Sequence, residues 1–239
     1  MEGHLENMGF GLIEIPVSFR VIAVGSGAED VVEKVKGFGY EGMECRVTDT
    51  ADDCNPVDDD RMVIVVARDN EDVANAIARK YHDAGVLTIG LVYDAVPSCY
   101  DSIVKDAKYA EFPDIIKVLM QPLLTTGYIN YDFYDISMEF HDSGKFVTGI
   151  AEGPDMESVV RNLQQILDAI DVNGVGCLSI HLYTHRDKEP ALTVSDVRYL
   201  NDLIARLPSS VQVKWSGNID NTMPTDMIRL TAIMTSKEL

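Results

Sequence analysis

The sequence predicts an α/β protein: a parallel, doubly wound sheet in its first half, then a smaller mixed α/β half. Three observations predict it. Short runs of β-branched and apolar residues alternate with helix-period segments as far as about residue 125. The first run, Phe19–Val24, ends in a glycine turn at Gly25 and Gly27, as a strand entering a crossover helix requires. After Gly127 the pattern changes to longer strands separated by two helices and closed by a strand pair.

Each element follows from its residues. Val31, Val32 and Val35 with Phe38 have helical spacing after the glycine turn. "MECRVTD" reads as a second strand, and Thr48–Asp60 as a polar, strongly acidic loop. "RMVIVVA" is a buried strand. "NEDVANAIARKYHDAG" is a helix with Glu71 and Asp72 in its first turn, where the dipole favours them, and Gly85 past its end. "VLTIGLV" is another buried strand. One or two helices fill "KDAKYAEFPDIIKVLMQPLLTTG", with Pro113 at a start and Pro122 kinking or ending the last turns. Beyond Gly127, "KFVTGIAEG" is a strand and "PDMESVVRNLQQILDAI" an amphipathic helix with Pro154 near its start. "GCLSIHLYTH" is a strand and "TVSDVRYLNDLIARL" a capped helix; "VQVKWSGNID" and "MIRLTAIMT" are strands.

Composition bounds the function. The chain has 239 residues, 46% of them hydrophobic, enough for a sizeable core. Its formal net charge of -19 disfavours nucleic acid and anionic membrane, because phosphate binding needs Lys and Arg to displace counterions. The longest apolar runs, near Val63–Ala67 and Val86–Val92, fall far short of the ~20 residues of a membrane span. The first ten residues have neither the basic nor the apolar region of a signal peptide, so the expected location is the cytoplasm, without membrane insertion. Cys45, Cys54, Cys99 and Cys177 lack metal-type spacing and are expected to be free thiols.

The segment "TTGYINYDFYDISMEF" places Asn130, Asp132 and Asp135 just after a glycine, at a helix start. Asn and Asp are common helix caps, and a carboxylate in a first turn suits the dipole. The step from Asp132 to Asp135 puts both on one side of a first turn. Other groupings are weaker. "GSG" lacks the third glycine of a dinucleotide loop. His181 and His185 share a strand face without a third ligand nearby. Asp58–Asp60 read as a solvated acidic loop ahead of a cation site. No Ser/His/Asp or Cys/His grouping with a nucleophile elbow occurs.

"GYINYDFYDI" resembles the synergy loop of FtsZ, with its pattern G-x-I-N-x-D-F-x-D, and the whole order resembles the tubulin/FtsZ family of polymerising GTPases. "VLTIGLV", "SGKFVTGIAEG", "GCLSIHLYTHRDKEPALTVSDVRYLNDLI" and "VQVKWSGNIDNTMPTDMIRLTAIMT" resemble further segments of FtsZ, so the likeness runs from about Phe19 to Thr235 with gaps. It implies a Rossmann-like nucleotide-binding half (1–112), a central helix (113–126) and a second α/β half carrying the synergy loop (127–239). It also implies that Asn130, Asp132 and Asp135 act on the nucleotide of a neighbouring subunit. There the carboxylates would position and polarise the water that attacks the γ-phosphate. The departures lie in the first half. Where FtsZ has a phosphate loop of the type G-G-G-T-G-T-G, this chain reads "VVARDNEDVANA", with no glycine and with Asp69, Glu71 and Asp72 where phosphate would lie. The spans Asp49–Asp60 and Val92–Phe112 are shorter than in FtsZ, the second where the family has a strand and a base-binding loop. No nucleotide-binding residue carries over. The resemblance therefore implies an FtsZ-like protein with a reduced nucleotide half and no GTP cofactor. Its expected partner is an FtsZ-type subunit or a second copy, head to tail. A divergent self-assembling GTPase that binds GTP, and a structural homopolymer without nucleotide, are the alternatives.

Overall fold

The computed structural model describes residues 18–125, 127–170 and 174–236. In chain order the first elements are β1 (Phe19–Val24), α1 (Ala28–Lys36), β2 (Met43–Thr48), β3 (Met62–Ala67), α2 (Glu71–Asp83), β4 (Leu87–Leu91), β5 (Ser102–Val104) and α3 (Phe112–Leu124). They are followed by β6 (Gly127–Ile129), α4 (Phe133–Phe140), β7 (Gly144–Gly153), α5 (Met156–Asp168), β8 (Cys177–Thr184), α6 (Val194–Ile204), β9 (Gln212–Ile219) and β10 (Ile228–Ser236).

The ten strands of the described residues form one sheet, in the order β2-β1-β3-β4-β5-β7-β10-β8-β9-β6. The pairs from β2 through β7 are parallel. β10 is antiparallel to both β7 and β8, β9 runs parallel to β8, and β6 closes the far edge antiparallel to β9. The fold is thus mixed α/β with a mostly parallel sheet. β3 and β4 are buried at every residue, as central parallel strands covered on both faces must be.

Three apolar clusters hold the layers together. On one face of the first half, α1 and α3 cover β1, β3 and β4, and the cluster runs on through Ile136, Phe140, Phe146 and Ile233. α2 covers the opposite face through Ala74, Ile77, Ala78 and Tyr81. In the second half, α5 and α6 pack on β8 and β10.

The structure differs from the sequence expectation in local ways, each with a physical reason. β5 and β6 go beyond the sequence expectation: each is three residues long, and sheet neighbours rather than local pattern hold them. α3 is one helix, preceded by a single 3-10 turn at Tyr109–Glu111. Pro113 sits at its first positions, where the missing N–H costs nothing. Pro122 lies inside α3, which continues to Leu124 because Leu123 and Leu124 pack against the core. Asp58 and Asp59 are exposed as expected, but Asp60 is buried, ion-paired with Arg20 (2.5 Å) and accepting the Val57 N–H (2.9 Å). The four cysteines are free and buried. Among the described residues no helix is long and apolar enough to cross a membrane.

Candidate functional site

Two regions bear on function. The first lies at the carboxyl ends of β1, β3 and β4, where a doubly wound sheet usually binds ligands. Gly25 (φ 84°) and Gly27 (φ 79°) shape the β1–α1 turn, and Asn70 (φ 63°) precedes α2. The turns are tied directly together. The Ser26 N–H donates to Asp69 Oδ1 at 2.9 Å, and the Ser26 hydroxyl donates to Asp69 Oδ2. These bonds hold the Asp69 carboxyl below the usual carboxylate range. An anion binding to this N–H would have to displace the Asp69 carboxylate. Glu29 and Asp30 open α1, and Glu71 and Asp72 open α2, adding negative charge around it.

Gly25 cannot be replaced cheaply. A Cβ there would lie 2.0 Å from Asp69 Oδ1, on a backbone that L side chains rarely adopt. Gly25→Ala is expected to cost roughly 1–2 kcal/mol from the left-handed backbone alone, and more through displacement of Asp69; urea denaturation of the variant measures it. Beside the turn, a cleft of about 440 Å³ is lined by Lys34, Arg68, Tyr93 and Tyr109 among others. The Arg68 guanidinium stands 5.8 Å from the Tyr109 ring centre.

The second region is the segment from β6 to α4. Asp132 is the N-cap of α4: its Oδ1 accepts the Asp135 N–H (3.1 Å), while Asp135 Oδ2 accepts the Asp132 N–H (3.2 Å). This reciprocal box satisfies two donors that a helix start otherwise leaves bare. Asp135 has a further partner, since Lys214 on β9 pairs with its Oδ1 (3.2 Å) and donates to its carbonyl (2.8 Å). Both carboxylate oxygens of Asp135 are therefore engaged. Asp132 is exposed, and its Oδ2 makes no hydrogen bond among the described residues. Asn130 is exposed, and its amide makes no side-chain hydrogen bond among the described residues. The structure thus gathers all three residues on one surface, and leaves Asp132 and Asn130 open to an incoming partner.

Several large hydrophobic side chains are exposed near this surface. Tyr128 is 72% exposed, Tyr134 71% and Met138 62%, and Ile129 joins them. Tyr134 and Met138 are four residues apart on α4 and so share a face. Asn130 and Asp132 also border a cleft of about 500 Å³ that Glu41 and Arg61 line as well.

Sequence reasoning missed what lies beneath. Tyr131, between Asn130 and Asp132, turns inward, and its hydroxyl donates to the buried Glu139 (2.7 Å). The visible signal was a glutamate at the core spacing Ile136, Glu139, Phe140. His181 is wholly buried and faces the Ser216 hydroxyl (2.9 Å); His185 lies just past β8, where its Nδ1 accepts the Asp187 N–H (2.9 Å). Neither belongs to a possible metal cluster among the described residues. Asp101, His141 and Asp142 do lie close enough for one. Yet Asp101 already accepts the Thr88 N–H (2.8 Å) and faces His141 Nδ1 (3.0 Å), a tie between β4 and the end of α4.

No protein-family profile matches the chain, and no curated protein matches it in sequence. Solved structures do match it. An empty FtsZ dimer of M. jannaschii superposes with a TM-score of 0.72 at 16% identity, over 92% of this chain and 88% of that one. TubZ of Bacillus thuringiensis serovar israelensis, in GDP-form protofilaments, gives 0.61 at 8% identity over 92% of this chain and 86% of that one. A type III plasmid segregation TubZ gives 0.59 at 9% identity over 95% and 90%. The chain has the tubulin/FtsZ fold.

Proposed function

We propose that this chain is a cytoplasmic FtsZ-like protein, deficient in GTP binding, that acts on cytoskeletal filaments. Its 127–140 face docks on the nucleotide-bearing end of an FtsZ-type subunit. In this reading residues 1–112 are a reduced nucleotide-binding half, 113–126 the central helix, and 127–239 the half that docks. The observation that carries it is the contrast between the two regions. Asp69 accepts the Ser26 amide of the glycine turn that follows β1, while Asn130 and Asp132 stand exposed near Tyr128, Tyr134 and Met138.

The chemistry follows from that asymmetry. Asp132 Oδ2 would accept a proton from, or orient, the water attacking the γ-phosphate held by the neighbour. Asn130 would hydrogen-bond the nucleotide or the loop's contact. The apolar side chains around them would supply the desolvated contact area. Lacking a nucleotide of its own, the chain would present no such end to a further subunit, and so would cap or modulate a filament.

Phosphate release from GTP tests this, measured for an FtsZ-type GTPase with and without the protein and for the protein alone. A dose-dependent change only in the mixture is expected. Turnover by the protein alone would instead support a divergent GTPase, the reading that the cleft between Lys34, Arg68, Tyr93 and Tyr109 favours.

A further inference from the structure

Beneath the open face lies a polar cluster in an otherwise apolar interior. Glu139 is 5% exposed. Its Oε2 accepts the Tyr131 hydroxyl (2.7 Å) from the loop and the Ser179 hydroxyl from β8. Its Oε1 has no hydrogen-bond partner among the described residues. The Tyr131 ring stands edge-on to His181, 4.6 Å between centres, and His181 Nδ1 faces the Ser216 hydroxyl, which also accepts from Asn218 (2.8 Å). A buried carboxyl with one oxygen doubly engaged and the other unpartnered is costly in its ionised form.

We propose that Glu139 is the positioning residue of the face carrying Asn130, Asp132 and Asp135: its buried carboxyl seats Tyr131, and thereby the loop, on β8, in a manner coupled to one proton. Tyr131 is bonded on either side to the two residues left open to a partner, so the seat of its hydroxyl sets where Asn130 and Asp132 point. A neutral carboxyl still accepts both bonds, more weakly than an ionised one, because both hydroxyls reach the same oxygen.

Charged and titratable groups face this carboxyl from three elements. On β9, Lys214 favours its charge; on α4, Asp135 opposes it; on β8, Cys177 is buried beside it with its thiol pushed up to about 12, chiefly by burial. His181 stays neutral, pushed down to about 3 by burial. Burial outweighs the hydrogen bonds from Ser179 and Tyr131 and the pull of Lys214, and raises Glu139 from 4.5 to about 7. Opening that carries α4 with the loop and brings the Glu139 carboxyl into water returns it to its ordinary value, so the seated loop is fully stabilised against that opening below about 4.5. That stabilisation is lost progressively as pH rises through about 7 and is constant beyond it.

This inference deepens the docking role but relies on it only for its consequence in GTP turnover. The test is hydrogen–deuterium exchange of residues 128–136 in the full chain, as protection factors from pH 5 to pH 8. In the wild type, protection is expected to fall by up to about 100-fold across that range. Glu139→Gln, which keeps the acceptor oxygen and cannot ionise, should remain protected at pH 8 and show a flat profile. Glu139→Ala should lose protection at every pH in this segment while α5 and α6 keep theirs. Should the alanine variant not fold, Tyr131→Phe, which removes only the hydroxyl, gives the same local loss.

A flat wild-type profile, or alanine and phenylalanine variants as protected as wild type, would overturn the proposal. A loosened loop in Glu139→Ala with an unchanged effect on an FtsZ-type GTPase would overturn the docking role and leave the positioning role standing.

Discussion

Under the proposed docking role, replacing Asp132 by asparagine is expected to lower by about 100-fold or more any GTP turnover that the protein supports in an FtsZ-type subunit, the scale of a lost general base. The fold should be untouched. Asparagine caps a helix about as well as aspartate, so the bond from the Asp135 N–H survives while the carboxylate is gone. Alanine at the same position removes cap and charge together and should cost about 1 kcal/mol of stability in addition. Asp135→Ala should cut turnover less. Its oxygens are already engaged by the Asp132 N–H and by Lys214, so its loss shows first as a lower melting temperature. Phosphate release assays on the three variants, each paired with a thermal melt, separate charge from capping. An Asp132→Asn variant as effective as wild type would end the idea that this acid works on a neighbour's nucleotide.

Asp60→Ala is expected to destabilise the protein by about 3–5 kcal/mol, the cost of leaving a buried charge without its partner. The side chain of Asp60 is fully buried, and that of Arg20 is 14% exposed. Arg20 keeps a second pairing with Glu44, which sits nearer solvent and offsets little of the loss. Replacing both partners, as Arg20→Met with Asp60→Leu, should recover much of the stability, since apolar residues of similar size escape the desolvation penalty. Urea unfolding of wild type, single and double variants measures this. An alanine variant within about 1 kcal/mol of wild type would mean that the Arg20–Asp60 contact carries no such burden.

Asp60 also shows where reading the sequence stops. It follows Asp58 and Asp59 in a run of three acids, and nothing local separates the third from the other two. What separates it is Arg20, forty residues earlier, brought beside it by the parallel pairing of β1 and β3. The long elements were legible because their pattern is local. "MVIVVA" is apolar throughout and buried throughout, and the valines of α1 repeat at helical spacing and are buried. β5 and β6 were not, because three residues carry no period. At the candidate site, Asn130, Asp132 and Asp135 stood out by spacing and by resemblance. The seat under them did not, because Tyr131, Glu139, Ser179, His181 and Ser216 meet only once α4, β8 and β9 are packed. Likewise, the bridge from Ser26 to Asp69 joins two loops forty-three residues apart.

The short strand β5 has an architectural consequence. Its three residues are the seam between the two halves: Ser102 and Ile103 pair with β4, and Ser102–Val104 pair with Gly144–Phe146 of β7. Severing the chain between the halves would strip β7 from that seam. Each fragment would then carry a raw margin of unpaired N–H and C=O groups, a template for fibril-like stacking with other fragments. The halves of this protein are therefore poor candidates for separate expression.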